Sequence, residues 1–120
     1  MPGAESAEQR LARLRQAFGE RLRRDVQTLR ESVLALRSAP DAPDALARMR
    51  HLAHGLAGSC GTFGYSVAGQ KAAALETACK EMLARGQGGI DDLSLSELDE
   101  YVEAITSAIA LSSEGWGGKA

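Results

Sequence analysis

Apolar residues in this 120-residue sequence recur every three or four positions, in four segments that glycine, proline and serine residues separate. This spacing places the apolar side chains of each segment on one face of an α-helix. No segment sustains the alternation of apolar and polar residues that indicates a β-strand, and the helix-favouring residues Ala, Leu, Arg and Glu dominate. The sequence therefore predicts an all-α protein, an antiparallel four-helix bundle with an N-terminal helical extension.

The first predicted helix covers residues 6–37, and Ser6 and Gln9 at its start have the spacing of a capping box. Gly19 lies inside the apolar pattern, and it predicts a break between a short helix and a longer one. The segment from Ser38 to Pro43 contains two prolines, which cannot continue a helix. It therefore predicts a turn.

The second helix is predicted over residues 44–63, with Asp41 or Asp44 as its N-cap. Gly64 follows the last apolar position and is expected to end this helix, because glycine tolerates the left-handed conformation of helix ends. The third helix is predicted over residues 66–85.

The fourth helix is predicted to open at Leu93, with Ser94 or Ser96 as its N-cap. From residue 112 onward the periodic pattern stops, which predicts a frayed end. We therefore expect a bundle domain over residues 1–112 and a flexible C-terminal tail over residues 113–120. The start at methionine and the self-contained pattern favour a stand-alone protein over an excised domain.

The composition argues against several classes of function. Aromatic residues make up 4% of the chain and the net charge is −2, which argues against nucleic-acid binding. No apolar run approaches the roughly 18–20 residues that span a bilayer, and no secretory signal is visible. Cys60 and Cys79 are too few for a disulfide framework and are expected to be reduced core residues. These features predict a cytoplasmic protein without a membrane contact.

Charge is distributed unevenly along the chain. Residues 1–50 contain ten Lys and Arg against seven Asp and Glu, whereas residues 51–120 contain four against nine. Such an asymmetry suits the docking of a charged protein partner, although most surface charge only keeps a protein in solution.

The second helix carries both histidines of the chain, and His54 lies about 130° around the helix from the centre of the apolar stripe. Its side chain is therefore expected to point into solvent. Gly58 lies one turn further on and Gly61 on a similar face, although a glycine inside a helix costs about 1 kcal/mol relative to alanine. We interpret these glycines, with Arg50 and His51, as a docking surface where a partner can reach the imidazole.

An exposed imidazole is largely neutral at cytoplasmic pH, and a neutral imidazole is a nucleophile. It can accept a phosphoryl group and release it again, but this helix surface supplies no metal cage or general base. The alternative interpretations are an ordinary surface histidine and an i, i+3 zinc pair with His51, of which the zinc pair is disfavoured because the apolar stripe holds Cys60. No metal site is expected.

Residues 53–64, Ala-His-Gly-Leu-Ala-Gly-Ser-Cys-Gly-Thr-Phe-Gly, resemble the signature of histidine-containing phosphotransfer domains. That signature has a histidine, a leucine two residues later, a lysine at three, a glycine at four, small residues and a glycine at ten. The present sequence matches it at His54, Leu56, Gly58 and Gly64, and Ala57 replaces the lysine. Residues 74–76, Ala-Leu-Glu, resemble a small-Leu-Glu stretch on the next helix of that family.

The resemblance implies a phosphorelay intermediate in a bacterial-type two-component pathway, and not an enzyme, since no Gly-rich phosphate loop is present. A receiver-domain aspartate would pass its phosphoryl group to His54, and another receiver would take it, each supplying its own Mg²⁺. The implied partners are response-regulator receiver domains and a hybrid histidine kinase, and a monomer is expected. The missing lysine makes Arg50, Lys71 and Lys80 candidates for supporting the phosphoryl charge.

Two further hypotheses stay open at this point. The absence of the lysine at Ala57 motivates a receiver-binding module of the same fold that does not transfer phosphate. A dimerising helical scaffold, similar to the four-helix dimer of histidine kinases, would need exposed apolar surface.

Overall fold

The computed structural model describes residues 4–40, 43–85 and 90–117, with the side chains of residues 43 and 112–117 left aside. In these ranges the chain forms helices and turns and no strand. The four helices are α1 (Ala7–Ser38), α2 (Pro43–Cys60), α3 (Ser66–Arg85) and α4 (Asp92–Gly117). The predicted all-α class is confirmed, and α3 has the bounds that the sequence predicts.

Each helix packs against two neighbours, in the cyclic order α1, α2, α3, α4 and back to α1. Ion pairs from Arg30 to Glu103 and from Arg37 to Asp99 join α1 to α4 and show that these two helices run antiparallel. The apolar stripes meet along the axis of the bundle and exclude water there, which stabilises the fold. The largest fully buried side chains are Leu22, Leu29, Val33, Leu36, Met49, Cys60, Leu75, Cys79, Leu98, Val102 and Ile105.

The N-terminal part of α1 extends beyond this core. Residues 7–17 include no buried side chain, and Leu11 and Leu14 are 41% and 43% exposed. The helix begins with the predicted capping box, in which Ser6 Oγ accepts the backbone N–H of Gln9 at 3.0 Å and Gln9 Oε1 accepts that of Ser6 at 2.9 Å. The predicted helical extension is therefore confirmed.

The predicted break at Gly19 is wrong, because α1 is continuous from Ala7 to Ser38. Gly19 is buried, and a Cβ at this position would lie 2.9 Å from the hydroxyl oxygen of Tyr65. The absence of a side chain at Gly19 therefore allows Tyr65, at the start of α3, to pack closely against α1. The helix continues through Gly19 because the residues on either side favour a helix.

Gly64 ends α2 as the sequence predicts, through a turn of the Schellman type. The backbone N–H of Tyr65 donates to the Cys60 carbonyl oxygen at 2.8 Å, and that of Gly64 donates to the Gly61 carbonyl oxygen at 3.5 Å. Gly64 has φ 88°, the left-handed region that favours glycine. The regular helix ends at Cys60 rather than at residue 63, because the last residues tighten into this turn.

We expect Gly64→Ala to lower the free energy of unfolding by about 1 kcal/mol, because a Cβ is disfavoured at positive φ. Gly61→Ala is the matched control, since Gly61 has no positive φ and a Cβ there would meet nothing within 4 Å. Urea unfolding followed by circular dichroism measures both. Equal stability of the two variants would contradict the role given to Gly64.

The predicted N-caps of α2 and α4 need correction. Asp44 lies in the first turn of α2, which begins at Pro43, and Asp41 lies outside the described residues. The N-cap of α4 is Asp91 and neither of the predicted serines, since Asp91 Oδ1 accepts the backbone N–H of Ser94 at 2.9 Å. Hydrogen bonding from the Ser94 side chain, and then from its backbone N–H, lowers the pKa of Asp91.

Helix α4 continues through Gly117, beyond residue 112 where the apolar periodicity stops. The predicted fraying and flexibility of this end stay a prediction. Residues 118–120 lie outside the described part, and the domain boundary at residue 112 stays a prediction. None of the helices, over the residues searched, is long and apolar enough to cross a bilayer.

Candidate functional site on the second and third helices

His54 projects from α2, and 71% of its side-chain surface is exposed. Its neighbours along the chain on the core side, Ala53 and Leu56, are buried. This contrast follows from the helical period, which turns position 54 away from the apolar stripe. The imidazole is therefore open to a partner, as the spacing of the sequence predicts.

Glu76 on α3 forms a hydrogen bond with the imidazole of His54. His54 Nδ1 lies 2.8 Å from Glu76 Oε2, and the glutamate side chain is only 13% exposed. An ionised carboxylate only accepts hydrogen bonds, so Nδ1 is the nitrogen that carries the proton. In the neutral ring this leaves the lone pair on Nε2, which makes Nε2 the nucleophilic atom.

Lys80 contacts the same glutamate from one turn further along α3. Its Nζ lies 3.4 Å from Glu76 Oε2. Desolvation alone would raise the pKa of Glu76, but the hydrogen bonds from His54 and Lys80 outweigh it and hold that pKa below its ordinary value. Glu76 is therefore ionised near neutral pH and can accept the hydrogen bond that Nδ1–H donates.

Gly58 and Gly61 are exposed, and a Cβ built on either would meet nothing within 4 Å. Packing inside the bundle therefore does not require glycine at these positions. Packing does restrict Gly69 on α3, because a Cβ added there would lie 3.1 Å from the Cβ of Cys60. Beside His54, the glycines leave a stretch of helix surface without side chains.

Comparison with known proteins agrees with this geometry. The family model of the Hpt domain matches residues 4–108. The chain belongs to the Hpt domain family. No curated protein and no solved structure matches it. Hpt domains are helical bundles that carry phosphoryl groups on histidine in phosphorelays, and they are carriers and not kinases.

His51, the other histidine of this Hpt domain, is exposed and lies about 60° around α2 from His54, at about 100° per residue. It lines a groove of about 190 Å³ between α1 and α2, with Phe18, Arg21, Asp25, Leu52, Gly55, Leu56 and Ser59. His54 instead contacts α3. Among the residues that the structure describes, no three His, Cys, Asp or Glu side chains are grouped to hold a metal ion.

The three basic residues predicted to support a phosphoryl charge lie at different places. Lys80 Nζ lies 3.4 Å from Oε2 of Glu76, the carboxylate that contacts His54. Arg50 is half-buried, and its charge acts on the buried Cys79 thiol, whose pKa burial raises to about 12. Lys71 is exposed and lies about 140° around α3 from Glu76, at about 100° per residue. The structure brings only Lys80 of these three to the carboxylate that holds His54.

Both cysteines are free and buried, as predicted for core residues. Burial raises the pKa of the Cys60 thiol to about 11, so this side chain is a poor nucleophile at neutral pH.

Glu76 is the residue of this site that the sequence did not single out for contact with His54. The signal was its place in the Ala-Leu-Glu stretch at residues 74–76. Nothing in the spacing along α2 could show which residue of α3 would lie opposite His54, because that depends on how the two helices pack.

Proposed function

We propose that this Hpt domain accepts a phosphoryl group on His54 Nε2 from the aspartyl phosphate of a receiver domain and passes it to the aspartate of another receiver. The observation that carries the proposal is the exposed imidazole whose Nδ1 lies 2.8 Å from Glu76 Oε2. This contact fixes the tautomer and leaves Nε2 as the nucleophile on an open surface.

The transfer needs no general base on this chain. The Nε2 lone pair forms the P–N bond while the P–O bond to the receiver's aspartate breaks, and its electron pair leaves with the aspartate carboxylate. The imidazole becomes a phospho-imidazolium whose proton stays on Nδ1, where the Glu76 carboxylate balances its charge. In the second transfer the P–N bond breaks, and the leaving group is neutral imidazole, which departs more readily than its anion.

The partner supplies the remaining chemistry in this proposal. Receivers bring the acceptor aspartate and Mg²⁺, which would neutralise the phosphoryl oxygens during transfer. The surface around His54, with Arg50, His51, Gly58 and Gly61, would receive them. The resemblance of residues 53–64 supports a hybrid histidine kinase of a bacterial-type pathway as phosphoryl source. In this proposal the carrier is a monomer in the cytoplasm.

The second candidate is a module that binds a receiver without transferring phosphate. The observation that favours it is Ala57, which replaces the lysine of the family signature three residues after His54.

Incubation with ³²P-labelled receiver domains and Mg²⁺ separates the two candidates. We expect label to move from a receiver to the chain within minutes and to be lost again when a second, unphosphorylated receiver is added. Titration calorimetry with the same receivers measures binding in parallel. A chain that binds a phosphorylated receiver but stays unlabelled would favour the binding module. A dimer in light scattering would instead support the scaffold hypothesis.

A further inference from the structure

Lys80 and His54 share one carboxylate oxygen. Glu76 Oε2 lies 2.8 Å from His54 Nδ1 and 3.4 Å from Lys80 Nζ. The two nitrogens are therefore within roughly 6 Å of each other, a separation at which charges in proteins still act on one another. The Lys80 side chain is 57% exposed, so its ammonium group has room to move across this surface.

We infer that the positive charge of Lys80 partly neutralises the phosphoryl group on His54. Lys80 would so take the place of the lysine of the family signature, which is Ala57 in this chain. This inference rests on the proposed function, since it needs a phosphorylated His54. A phosphoryl group on Nε2 brings up to two negative charges close to the carboxylate of Glu76, and like charges repel. The single positive charge of the Lys80 ammonium group weakens this repulsion, because Nζ already lies 3.4 Å from Glu76 Oε2.

The replacement acts from the opposite side of the histidine. Helices α2 and α3 pack antiparallel, with Glu76 beside His54 and Gly69 beside Ala57. The turn of α3 that carries Lys80 therefore faces the turn of α2 that precedes His54. Position 57 is on the turn that follows His54, where the neighbour on α3 is Gly69, whose Cβ would lie 3.5 Å from the Ala57 carbonyl oxygen.

The two other basic candidates fit less well. Arg50 is half-buried on α2, one turn before His54, whereas Lys80 reaches the Glu76 carboxylate. Lys71 lies on the far edge of α3 from Glu76, by the helical angle between them. Lys71 is thus a matched control, since it is exposed, on the same helix and of the same charge.

The test uses potassium phosphoramidate, which phosphorylates imidazoles directly with loss of ammonia, so that no receiver is needed. After removal of the reagent, ³¹P NMR follows the decay of phosphohistidine in the wild type, Lys80→Gln, Lys80→Arg and Lys71→Gln. We expect the half-life in Lys80→Gln to fall about threefold at low salt, and that in Lys80→Arg and Lys71→Gln to stay near the wild-type value. At 1 M NaCl the difference should shrink, because the Debye length is then about 3 Å.

Two outcomes would overturn the inference while leaving the proposed function intact. One is a wild type phosphorylated on His54 whose half-life is the same in Lys80→Gln and Lys71→Gln. The other is a Lys80→Gln effect of equal size at low and high salt, which would indicate a structural disturbance. A wild type that takes no phosphate on His54 would overturn the proposed function and this inference together.

Discussion

His54→Gln is expected to remove acid-labile phosphorylation of this Hpt domain by a phosphorylated receiver, a loss of at least about a hundredfold. The glutamine amide can occupy similar space and still contact Glu76, but its nitrogen offers no nucleophilic lone pair. Intact-protein mass spectrometry at neutral pH measures the added phosphoryl group.

His51→Gln is the matched control for this prediction. Both histidines are exposed on α2, but His51 lines the groove toward α1, whereas the carboxylate of Glu76 holds His54. We expect phosphoramidate to label His51→Gln to within about twofold of the wild type, since the nucleophile is intact. Phosphorylation that survives His54→Gln and disappears in His51→Gln would show that the site has been placed on the wrong histidine.

Gly58→Phe should lower phosphoryl transfer from a receiver by a factor of about ten to a hundred, while phosphoramidate labels His54 as in the wild type. A phenyl ring one turn beyond His54 would stand on the open surface, and small displacements of reacting groups cost large factors in rate. The initial rate of label transfer from a ³²P-receiver, measured beside the phosphoramidate reaction, separates docking from nucleophilicity.

Gly58→Ala controls for the loss of a helical glycine. Alanine favours the helix by about 1 kcal/mol, its methyl group is small, and a Cβ at this position would meet nothing within 4 Å. We expect transfer at close to the wild-type rate. If Gly58→Phe also transfers normally, the receiver does not approach over Gly58, and the docking surface must lie elsewhere on the bundle.

The helices themselves could be predicted from the sequence because their signals are local. The bounds of α3 match the periodic segment, and Ser6 and Gln9 form the capping box that their spacing indicates. The exposure of His54 follows from the same periodicity, since about 100° per residue is enough to place it off the apolar stripe. These features depend on residues within one or two turns of each other.

Features that depend on contacts between distant segments could not be predicted in this way. Gly19 looked like a helix break, but it makes room for the hydroxyl group of Tyr65, 46 positions along the sequence. The position of Glu76 against His54 is set by the packing of α2 on α3. The cap of α4 is a local feature, but Asp91 and Ser94 are both favourable caps by residue type, so the sequence alone does not distinguish them.

Two-dimensional ¹H–³¹P NMR of the ¹⁵N-labelled chain, phosphorylated by a receiver, tests the central claim most directly. We predict one phosphohistidine, on His54, with phosphorus bonded to Nε2 and the proton retained on Nδ1 beside Glu76. Phosphorus on Nδ1 of His54, on His51 or on a carboxylate of this chain would contradict the account.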